Sequence, residues 1–328
     1  MSTLPLAKQV AAVARQQHGL ITNAQLAELK LSRKQIQGWT ASGRLDRVLP
    51  CVHRLAGAPK SREQAFQAAV LWGGPRSVLS HRAAGELWGF GGLTAARAEI
   101  TIPVEIRKRS ALVVVHQTRV QITDRRMRRG VPVTTPERTL IDLAGSLPAS
   151  QLEIAFESAR RERQVTVASV ARTAARIGTQ GRAGSDELQR LLALLASEPP
   201  CESALEVLTA RILRTSGLPK PQRRVEIDAA GSTCRLDFAW PDALVALECD
   251  GRKWHELDFE RDRRRWSAIT ATTGYRILWA TWNRINGQPE QLIAELRSSL
   301  RRPASPRDHF DRVIAADAGR PKDLSAFG

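Results

Sequence analysis

The stretch "LVALECDGRKWH", residues 244–255, places two acids at the end of an apolar run. Glu248 and Asp250 are two residues apart, so they share one face of a strand, and the glycine that follows favours a turn. Upstream, "STCRLDFAW", residues 232–240, alternates apolar and polar residues and is joined to the first stretch by the short link "WPDA". These two segments predict an antiparallel β-hairpin.

The predicted hairpin brings acids together from both strands. A turn centred on Asp242 and Ala243 places Asp237 directly opposite Glu248. Alternation then predicts one polar and one apolar face. The polar face holds Arg235, Asp237, Glu248 and Asp250, and the apolar face holds Leu236, Phe238, Leu247 and Cys249. Because like charges opposite one another destabilise a sheet, a hard cation such as Mg²⁺ or Mn²⁺ between Asp237 and Glu248 is one expectation.

A purely structural interpretation of the same residues is equally compatible with their spacing. Arg235 would neutralise Asp237, and the Asp-Gly pair would only turn the chain. Similarly, Glu206 lies three residues after Ser203, which is the spacing of a helix capping box. His255 has an ordinary pKa of about 6.5 and suits proton transfer, provided that its loop folds back toward the acids. Spacing alone leaves both interpretations open.

The composition indicates an anionic partner. The 328 residues carry a formal net charge of +17, while the hydrophobic share of 42% is ordinary for a globular protein. Nucleic acid is the first candidate, because basic side chains that neutralise phosphates release counterions. No apolar run reaches the roughly 18 to 20 residues that a membrane span needs, so we expect a cytoplasmic protein without membrane contact. The four cysteines have no zinc-site spacing and are expected to be reduced.

The N-terminal residues favour a winged-helix DNA-binding domain, and a small helical packing module with a solvated surface is the alternative. In "ITNAQLAELKLSRKQIQGWTASGRLDRVLPCVHRLAG", residues 21–57, Thr22 or Asn23 can cap one helix and Ser32 the next. The run that follows alternates apolar and basic residues and suits a two-stranded wing. Residues 1–60 hold nine bases and two acids. The predicted DNA contacts in this domain are Arg33, Lys34, Gln37, Arg44 and Arg47.

The chain divides into four segments in this interpretation, and its fold class is α/β in the broad sense, or α+β. Strand-like and helical stretches such as "AEITIPVEI" and "TTPERTLIDLAG" predict a compact middle domain. His81 and His116 in that domain are each interpreted as structural histidines. The segments are a winged helix at 1–57, a middle or connector domain at 58–198, a mixed sheet flanked by helices at 199–302, and a flexible tail at 303–328.

The N-terminal segment resembles the winged-helix domain of the AbiEi family of antitoxins. The shared pattern is a "GLIT" start, a "QL" helix, a capped "S-R" recognition helix, "GRL" and a strand near "RLAG". Cys51, Val52 and His53 stand where the family usually carries Gly-Val-Tyr. The resemblance implies a DNA-binding antitoxin or repressor of a type IV toxin–antitoxin system with a cognate toxin as partner, and "VTTPERTLIDLA" resembles the family's second region.

The segment from Ser203 to Arg284 resembles proteins related to the very-short-patch-repair endonucleases of the PD-(D/E)XK superfamily. The shared features are "SALE", "GLPKPQ", "RLDFAWP", "ALECDG..WH", "D..RR" and "GYRILWATW". The resemblance implies a restriction-endonuclease-like domain. Its implied catalytic residues are Glu206, Asp237, Glu248, Asp250 and His255, with Asp237 and Glu248 as metal ligands and Arg261 and Arg264 as DNA contacts. Asp250 occupies a position where the superfamily normally carries lysine, so the general base is not identified.

Two functions from different classes follow from these observations. The first is a metal-dependent DNA endonuclease, with Mg²⁺ or Mn²⁺ as cofactor, that acts in phage defence or DNA repair. The second is a non-enzymatic antitoxin or transcriptional repressor that uses an inactive nuclease fold as a scaffold. A homodimer on two DNA half-sites is compatible with either function.

Overall fold

The structure is a computed structural model that describes residues 5–178, 181–229, 231–250 and 259–301, with the backbone alone over residues 259–265. The chain forms two compact units, Met1–Pro200 and Cys201–Gly328. Helices and three separate sheets make up these units, which confirms the α+β class. The finer division into a winged helix, a middle domain and a tail remains a prediction. Within the described ranges, no helix combines the length and apolar character that crossing a bilayer requires.

The first six elements of unit 1 have the order of a winged helix. They are α1 (Leu6–Arg15), β1 (Leu20–Thr22), α2 (Asn23–Glu28), α3 (Arg33–Ala41), β2 (Leu45–Leu49) and β3 (Val52–Leu55). The strands pair antiparallel in the order β1-β3-β2, so the β2–β3 hairpin forms the wing. Apolar residues of the three helices, among them Val10, Leu26 and Ile36, pack together beneath the sheet. The wing side of this sheet shares a core with α4, since Leu20, Leu49 and Val52 contact Phe66 and its neighbours.

The rest of unit 1 is built on a five-stranded mixed sheet. Its elements are α4 (Arg62–Gly73), β4 (Val78–Leu79), α5 (His81–Trp88), β5 (Ala98–Ile102), β6 (Val113–Gln117), β7 (Arg125–Arg128), β8 (Val131–Thr134), α6 (Pro136–Ala144), α7 (Ala149–Arg161), α8 (Val167–Ile177) and α9 (Ser185–Leu195). The strand order is β6-β5-β4-β8-β7, in which β5 and β6 are parallel. The helices α6 to α9 form their own apolar cluster around Leu140, Leu152 and Phe156. The helix α6 begins at Pro136, capped by the hydroxyl of Thr135.

Unit 2 is a four-stranded mixed sheet with helices on both faces. Its elements are α10 (Ala204–Thr215), β9 (Gln222–Ala229), β10 (Ser232–Trp240), β11 (Val245–Asp250), α11 (Phe259–Thr273), β12 (Arg276–Thr281), α12 (Trp282–Gly287) and α13 (Pro289–Arg301). The order is β12-β11-β10-β9, with β11 and β12 parallel and the other pairs antiparallel. One apolar cluster joins the sheet to α10, α12 and α13, and another joins it to α11 through Ile269. A mixed sheet flanked by helices is therefore observed, as predicted.

The hairpin predicted from "STCRLDFAW" and "LVALECD" is present. Phe238 lies opposite Leu247 and Trp240 opposite Val245, which is the register expected for a turn at Asp242. The link is one 3₁₀ turn over Pro241–Ala243. Because β10 also pairs with β9, and β11 with β12, the hairpin occupies the centre of the sheet.

Candidate functional site

The helix α3 is fixed at its start by a complete capping box. The Ser32 hydroxyl accepts a hydrogen bond from the backbone N–H of Gln35 at 3.3 Å, and the Gln35 side chain accepts from the Ser32 N–H at 2.8 Å. Thr22 and Gln25 form the same arrangement at the start of α2, so Thr22 is the cap and Asn23 is the first helical residue. Each box satisfies backbone donors that a helix start otherwise leaves unpaired. The orientation of α3 is therefore set by local chemistry.

The outer surface of α3 and the adjoining wing is basic. The buried residue of α3 is Ile36, whereas the side chains predicted to contact DNA all lie exposed: Arg33, Lys34, Gln37, Arg44 and Arg47. The Arg44 guanidinium lies 5.8 Å from the centre of the Trp39 ring, where cation–π attraction favours it. On the wing, Arg54 forms an ion pair with Asp46 at 2.6 Å. Arg33 and Lys34 on α3 and Arg47 on the wing are thus exposed bases on neighbouring elements.

The wing turn is strained at one residue. Cys51 has a φ of 63°, in the left-handed region where glycine is favoured. Its backbone carbonyl accepts a hydrogen bond from the N–H of Asn23 at 2.9 Å, which ties the wing to α2. His53 is buried beside it and lies 2.8 Å from Asn23 Oδ1. Burial, together with the nearby charge of Arg47, lowers the pKa of His53. Of the four cysteines, Cys51 is exposed, and all four are free thiols.

In unit 2, two acids occupy the open end of the central hairpin. The backbone ladder of β10 and β11 runs as far as Phe238 and Leu247, and beyond it side chains bond to the opposite backbone. The Asp237 N–H donates to Glu248 Oε1 at 3.0 Å, and the Cys249 N–H donates to Asp237 Oδ2 at 2.9 Å. Each carboxylate thus takes a backbone donor from the opposite strand. The strands part here with two carboxylates between them.

Glu206 approaches this pair from α10. Its backbone N–H is capped by Ser203 Oγ at 3.1 Å, but its carboxylate accepts from the N–H of Glu202 at 2.9 Å. The reciprocal capping box considered from the sequence is therefore not formed. Burial raises the pKa of Glu206, and the charge of Asp237 contributes to that increase. Burial also raises the pKa of the Cys249 thiol, with Asp237, Glu206 and Glu248 adding to the effect. The charges of all three carboxyl groups therefore act on this thiol.

The apolar face predicted for the hairpin is wrong at one residue. Phe238 and Leu247 pack with α10, α12 and α13, whereas Leu236 packs with the cluster on the α11 side. The β9–β10 ladder shows where the face changes. It pairs Leu236 with Val225 and Phe238 with Arg223, so the change of face along β10 occurs at the level of Arg224, which has a φ of 56°.

The charged residues around the hairpin are only partly covered by the structure. Arg235 forms an ion pair with Glu202, and Asp250 lies exposed at the end of β11, opposite Thr281 of β12. His255 falls outside the described residues, and so does the Asp-Gly turn beyond Asp250. Arg261 and Arg264 lie on α11, in the part where only the backbone is described. Their predicted roles remain predictions.

The donor chemistry of the unit 2 acids fits a hard divalent cation. Asp237 and Glu248 offer carboxylate oxygens, which Mg²⁺ and Mn²⁺ prefer, and Glu206 supplies a third carboxyl nearby. Among the described residues, unit 1 holds a group of three potential metal ligands. The donor atoms of these ligands lie within 4.8 Å of one another. That group consists of His81, Glu99 and His116.

The sequence patterns around His81 and His116 were interpreted separately, so they did not predict that the two histidines lie together with Glu99. The His81 and His116 rings stack with centroids 3.5 Å apart and planes 13° apart, and His116 Nε2 lies 3.2 Å from Glu99 Oε2. Burial lowers the pKa of His81 to about 3, assisted by His116, Arg138 and Arg182. Its φ of 52° also lies in the left-handed region. The sequence gives no spacing motif for the group, because three separate elements supply its members.

Comparison with known proteins supports the N-terminal interpretation. Residues 8–50 match the family model of the AbiEi antitoxin, described as a transcriptional regulator. Two uncharacterized proteins of Mycobacterium tuberculosis, MT2308 of strain CDC 1551 / Oshkosh and Rv2248 of strain ATCC 25618 / H37Rv, are each 25% identical over 278 residues, covering 83% of this chain and 98% of the relative. The crystal structure of the RV2827C protein from the same species aligns with 67% of this chain and 80% of its own, at 16% identity and a TM-score of 0.35. The N-terminal segment is thus similar to a DNA-binding regulator domain.

Proposed function

We propose that this protein is a DNA-binding transcriptional regulator that contacts duplex DNA through α3 and the β2–β3 wing. The observation that carries the proposal is the exposed basic surface of α3, a helix that begins at a complete capping box. This helix lies within the segment that matches an AbiEi-type regulator. A recognition helix of this class enters the major groove by its N-terminal residues. Arg33 and Lys34 lie at that end of α3.

The side chains have separable roles in this proposal. Arg33 and Lys34 contact phosphates and base edges, and Gln37, one turn later, suits bidentate recognition of adenine. Arg44 and Arg47 contact the flanking phosphates, which position the helix without reading sequence. The finer part of the proposal is that the protein acts as an antitoxin that represses its own promoter and pairs with the product of a neighbouring toxin gene.

The DNA-binding proposal is tested with the full-length protein and labelled duplex from upstream of its own gene. Arg33→Ala/Lys34→Ala is expected to weaken binding by at least tenfold in fluorescence anisotropy. The matched control removes two exposed bases elsewhere in unit 1, Arg163→Ala/Arg172→Ala, and is expected to bind normally. Equal loss in both double variants would reduce the effect to net charge and refute the assigned surface.

A second candidate function is favoured by the acids at the parted hairpin. We propose that unit 2 hydrolyses a phosphodiester, with Asp237 and Glu248 as the residues that would hold Mg²⁺ or Mn²⁺. A metal bound there would polarise the phosphate and lower the pKa of a water molecule. The chain itself fixes both carboxylates through backbone donors, and α10 brings Glu206 alongside them. His255 is proposed as proton donor or acceptor, and Arg261 and Arg264 as contacts to the DNA backbone.

The nuclease proposal needs variants that preserve the hairpin. Asp237→Asn and Glu248→Gln keep an oxygen that can accept from the Cys249 and Asp237 N–H groups, whereas alanine variants remove it. Nicking of supercoiled and linear DNA, and cleavage of RNA, are measured with and without Mg²⁺ or Mn²⁺. Activity is expected to be lost in the amide variants while their thermal unfolding stays close to that of the parent. Full activity in both folded amide variants excludes these acids as metal ligands.

A further inference from the structure

His81, Glu99 and His116 converge on one point of unit 1 from three elements. His81 is the first residue of α5, directly after β4, while Glu99 and His116 lie on β5 and β6. These strands are neighbours in the order β6-β5-β4. The parallel register places His116 opposite Thr101, two residues beyond Glu99, so Glu99 and His116 project from the same face. Sheet register therefore brings a carboxylate and an imidazole together, and α5 adds the second imidazole.

We propose that His81, Glu99 and His116 form a binding site for Zn²⁺, separate from the acids of unit 2. One donor atom from each residue lies within 4.8 Å of the other two. Two imidazole nitrogens and one carboxylate oxygen are a ligand set that zinc accepts with a further position left for water. Mg²⁺ prefers oxygen ligands throughout, so this site and the Asp237–Glu248 pair select different ions.

Hydrogen bonds behind His81 hold its ring in place. Ser80 Oγ lies 3.0 Å from His81 Nδ1 and accepts a hydrogen bond from Thr101 Oγ1 at 2.9 Å. Ser80 and Thr101 are fully buried. A metal-bound histidine commonly donates a hydrogen bond from its second nitrogen, so the proposed site uses the tautomer in which His81 Nδ1–H donates to Ser80 Oγ. In this arrangement Nε2 of His81 is the nitrogen offered to the ion.

Two arginines near the site are paired with one buried carboxylate. Arg138 is buried and forms an ion pair with Asp142 at 2.9 Å, and Arg182 contacts the same carboxylate at 3.2 Å. Glu99, 12% exposed, is the one anionic ligand of the proposed site, and His116, a neutral ligand, is 29% exposed. This partial exposure also gives an ion a path from solvent.

Binding requires a small local rearrangement. Tetrahedral zinc with bonds of about 2.0 to 2.1 Å places neighbouring donors about 3.4 Å apart, so the widest pair closes by roughly 1.4 Å. An ion also lies near the plane of each imidazole that binds it. Because Ser80 holds the His81 ring, the His116 ring rotates out of the stack when zinc enters, which changes the NMR signals of both rings.

Zinc binding is tested on untagged, full-length protein that has been stripped with a chelator. We expect one zinc per chain with micromolar or tighter affinity in a competition titration, unaffected by millimolar Mg²⁺. His116→Ala and Glu99→Gln are expected to weaken binding by at least 100-fold, and Ser80→Ala by about 10-fold to 100-fold. Circular dichroism confirms that each variant is folded. Co²⁺ substitution is expected to give the absorption bands of a tetrahedral site.

Two controls separate this site from others in the chain. His18→Ala removes a histidine of unit 1 whose ring lies 2.9 Å from the Arg129 backbone oxygen, and it should bind zinc normally. Asp237→Asn/Glu248→Gln should also bind normally. Failure of the parent protein to bind zinc overturns the proposal. So does unchanged affinity in folded His116→Ala, or loss of affinity in either control.

Discussion

Replacing Arg138 with methionine leaves two buried aspartates beside an apolar side chain. Arg138 is 1% exposed, and its Nη1 lies 3.7 Å from Asp124 Oδ2 while its Nε lies 2.9 Å from Asp142 Oδ1. Breaking a buried pair by removing one partner typically costs about 3 to 5 kcal/mol. Asp142 keeps Arg182 and Asp124 keeps Arg176, both partly exposed. We therefore expect a loss near the lower limit, about 3 kcal/mol, or about 150-fold in the unfolding equilibrium.

The loss from Arg138→Met depends on pH with a definite sign. Burial raises the pKa of Asp142 in the folded state, although Arg138 opposes this increase. A carboxyl group with a raised pKa stabilises the fold below its unfolded pKa, and that contribution is lost as the pH rises through the folded pKa. Without Arg138 the pKa of Asp142 rises further. The deficit of the variant is therefore largest at neutral and higher pH and shrinks as the pH falls and Asp142 becomes protonated.

Hydrogen exchange of peptides that cover α6, combined with urea unfolding of the full-length protein, measures this effect. Arg190→Met is the matched control. Arg190 pairs with Glu187 at 3.5 Å on the surface and is 73% exposed, so its loss should change stability by less than about 0.5 kcal/mol. A deficit for Arg138→Met below about 1 kcal/mol, or one that grows as the pH falls, would show that the buried charges are not organised by Arg138.

Three further outcomes are expected. Arg33→Ala/Lys34→Ala should reduce the slope of log K against log salt for DNA binding by about 1.8, at about 0.9 per phosphate contact, and an unchanged slope would contradict those contacts. Glu206→Gln should raise the melting temperature at pH 7.5 but not below pH 4, because burial raises the pKa of Glu206 and penalises its charged form as the pH rises. A lower melting temperature at pH 7.5 would refute this. Cys51→Gly should stabilise the wing by up to about 1 kcal/mol in thermal unfolding, because glycine adopts a φ of 63° without strain. A destabilised variant would show that contacts of the Cys51 side chain stabilise the wing by more than the strain costs.

Local signals in the sequence were sufficient for several parts of the fold. Two helix starts were predicted, one at Thr22 or Asn23 and one at Ser32, because capping depends on hydrogen bonds within one turn. The register of the central hairpin was also predictable, because the short link between the two strands determines which residues lie opposite one another. Cys51 stands where AbiEi-type wings usually carry glycine, and it adopts the left-handed backbone conformation that glycine favours.

Features that depend on several distant segments could not be predicted. Leu236 packs on the face opposite to that of Phe238, at the level of the left-handed Arg224 in the neighbouring strand, and simple alternation along β10 predicts neither feature. The hydrogen bonds that the Asp237 and Glu248 carboxylates accept from the opposite backbone could not be predicted either. Alternation and register describe only the regular ladder. His81, Glu99 and His116 meet through a parallel strand pair, whose long connection leaves no fixed spacing in the sequence.

The core shared between the wing and α4 makes the N-terminal elements inseparable from the sheet behind them. Leu20, Leu49 and Val52 belong to one apolar cluster with Phe66 of α4, and Gln64 of the same helix donates to the His18 carbonyl at 2.6 Å. A fragment cut after residue 57 would uncover these apolar side chains to water, which favours aggregation over folding. Tests of the proposed DNA-binding function should therefore exchange α3 surface residues on the intact chain rather than transplant residues 1–57 alone.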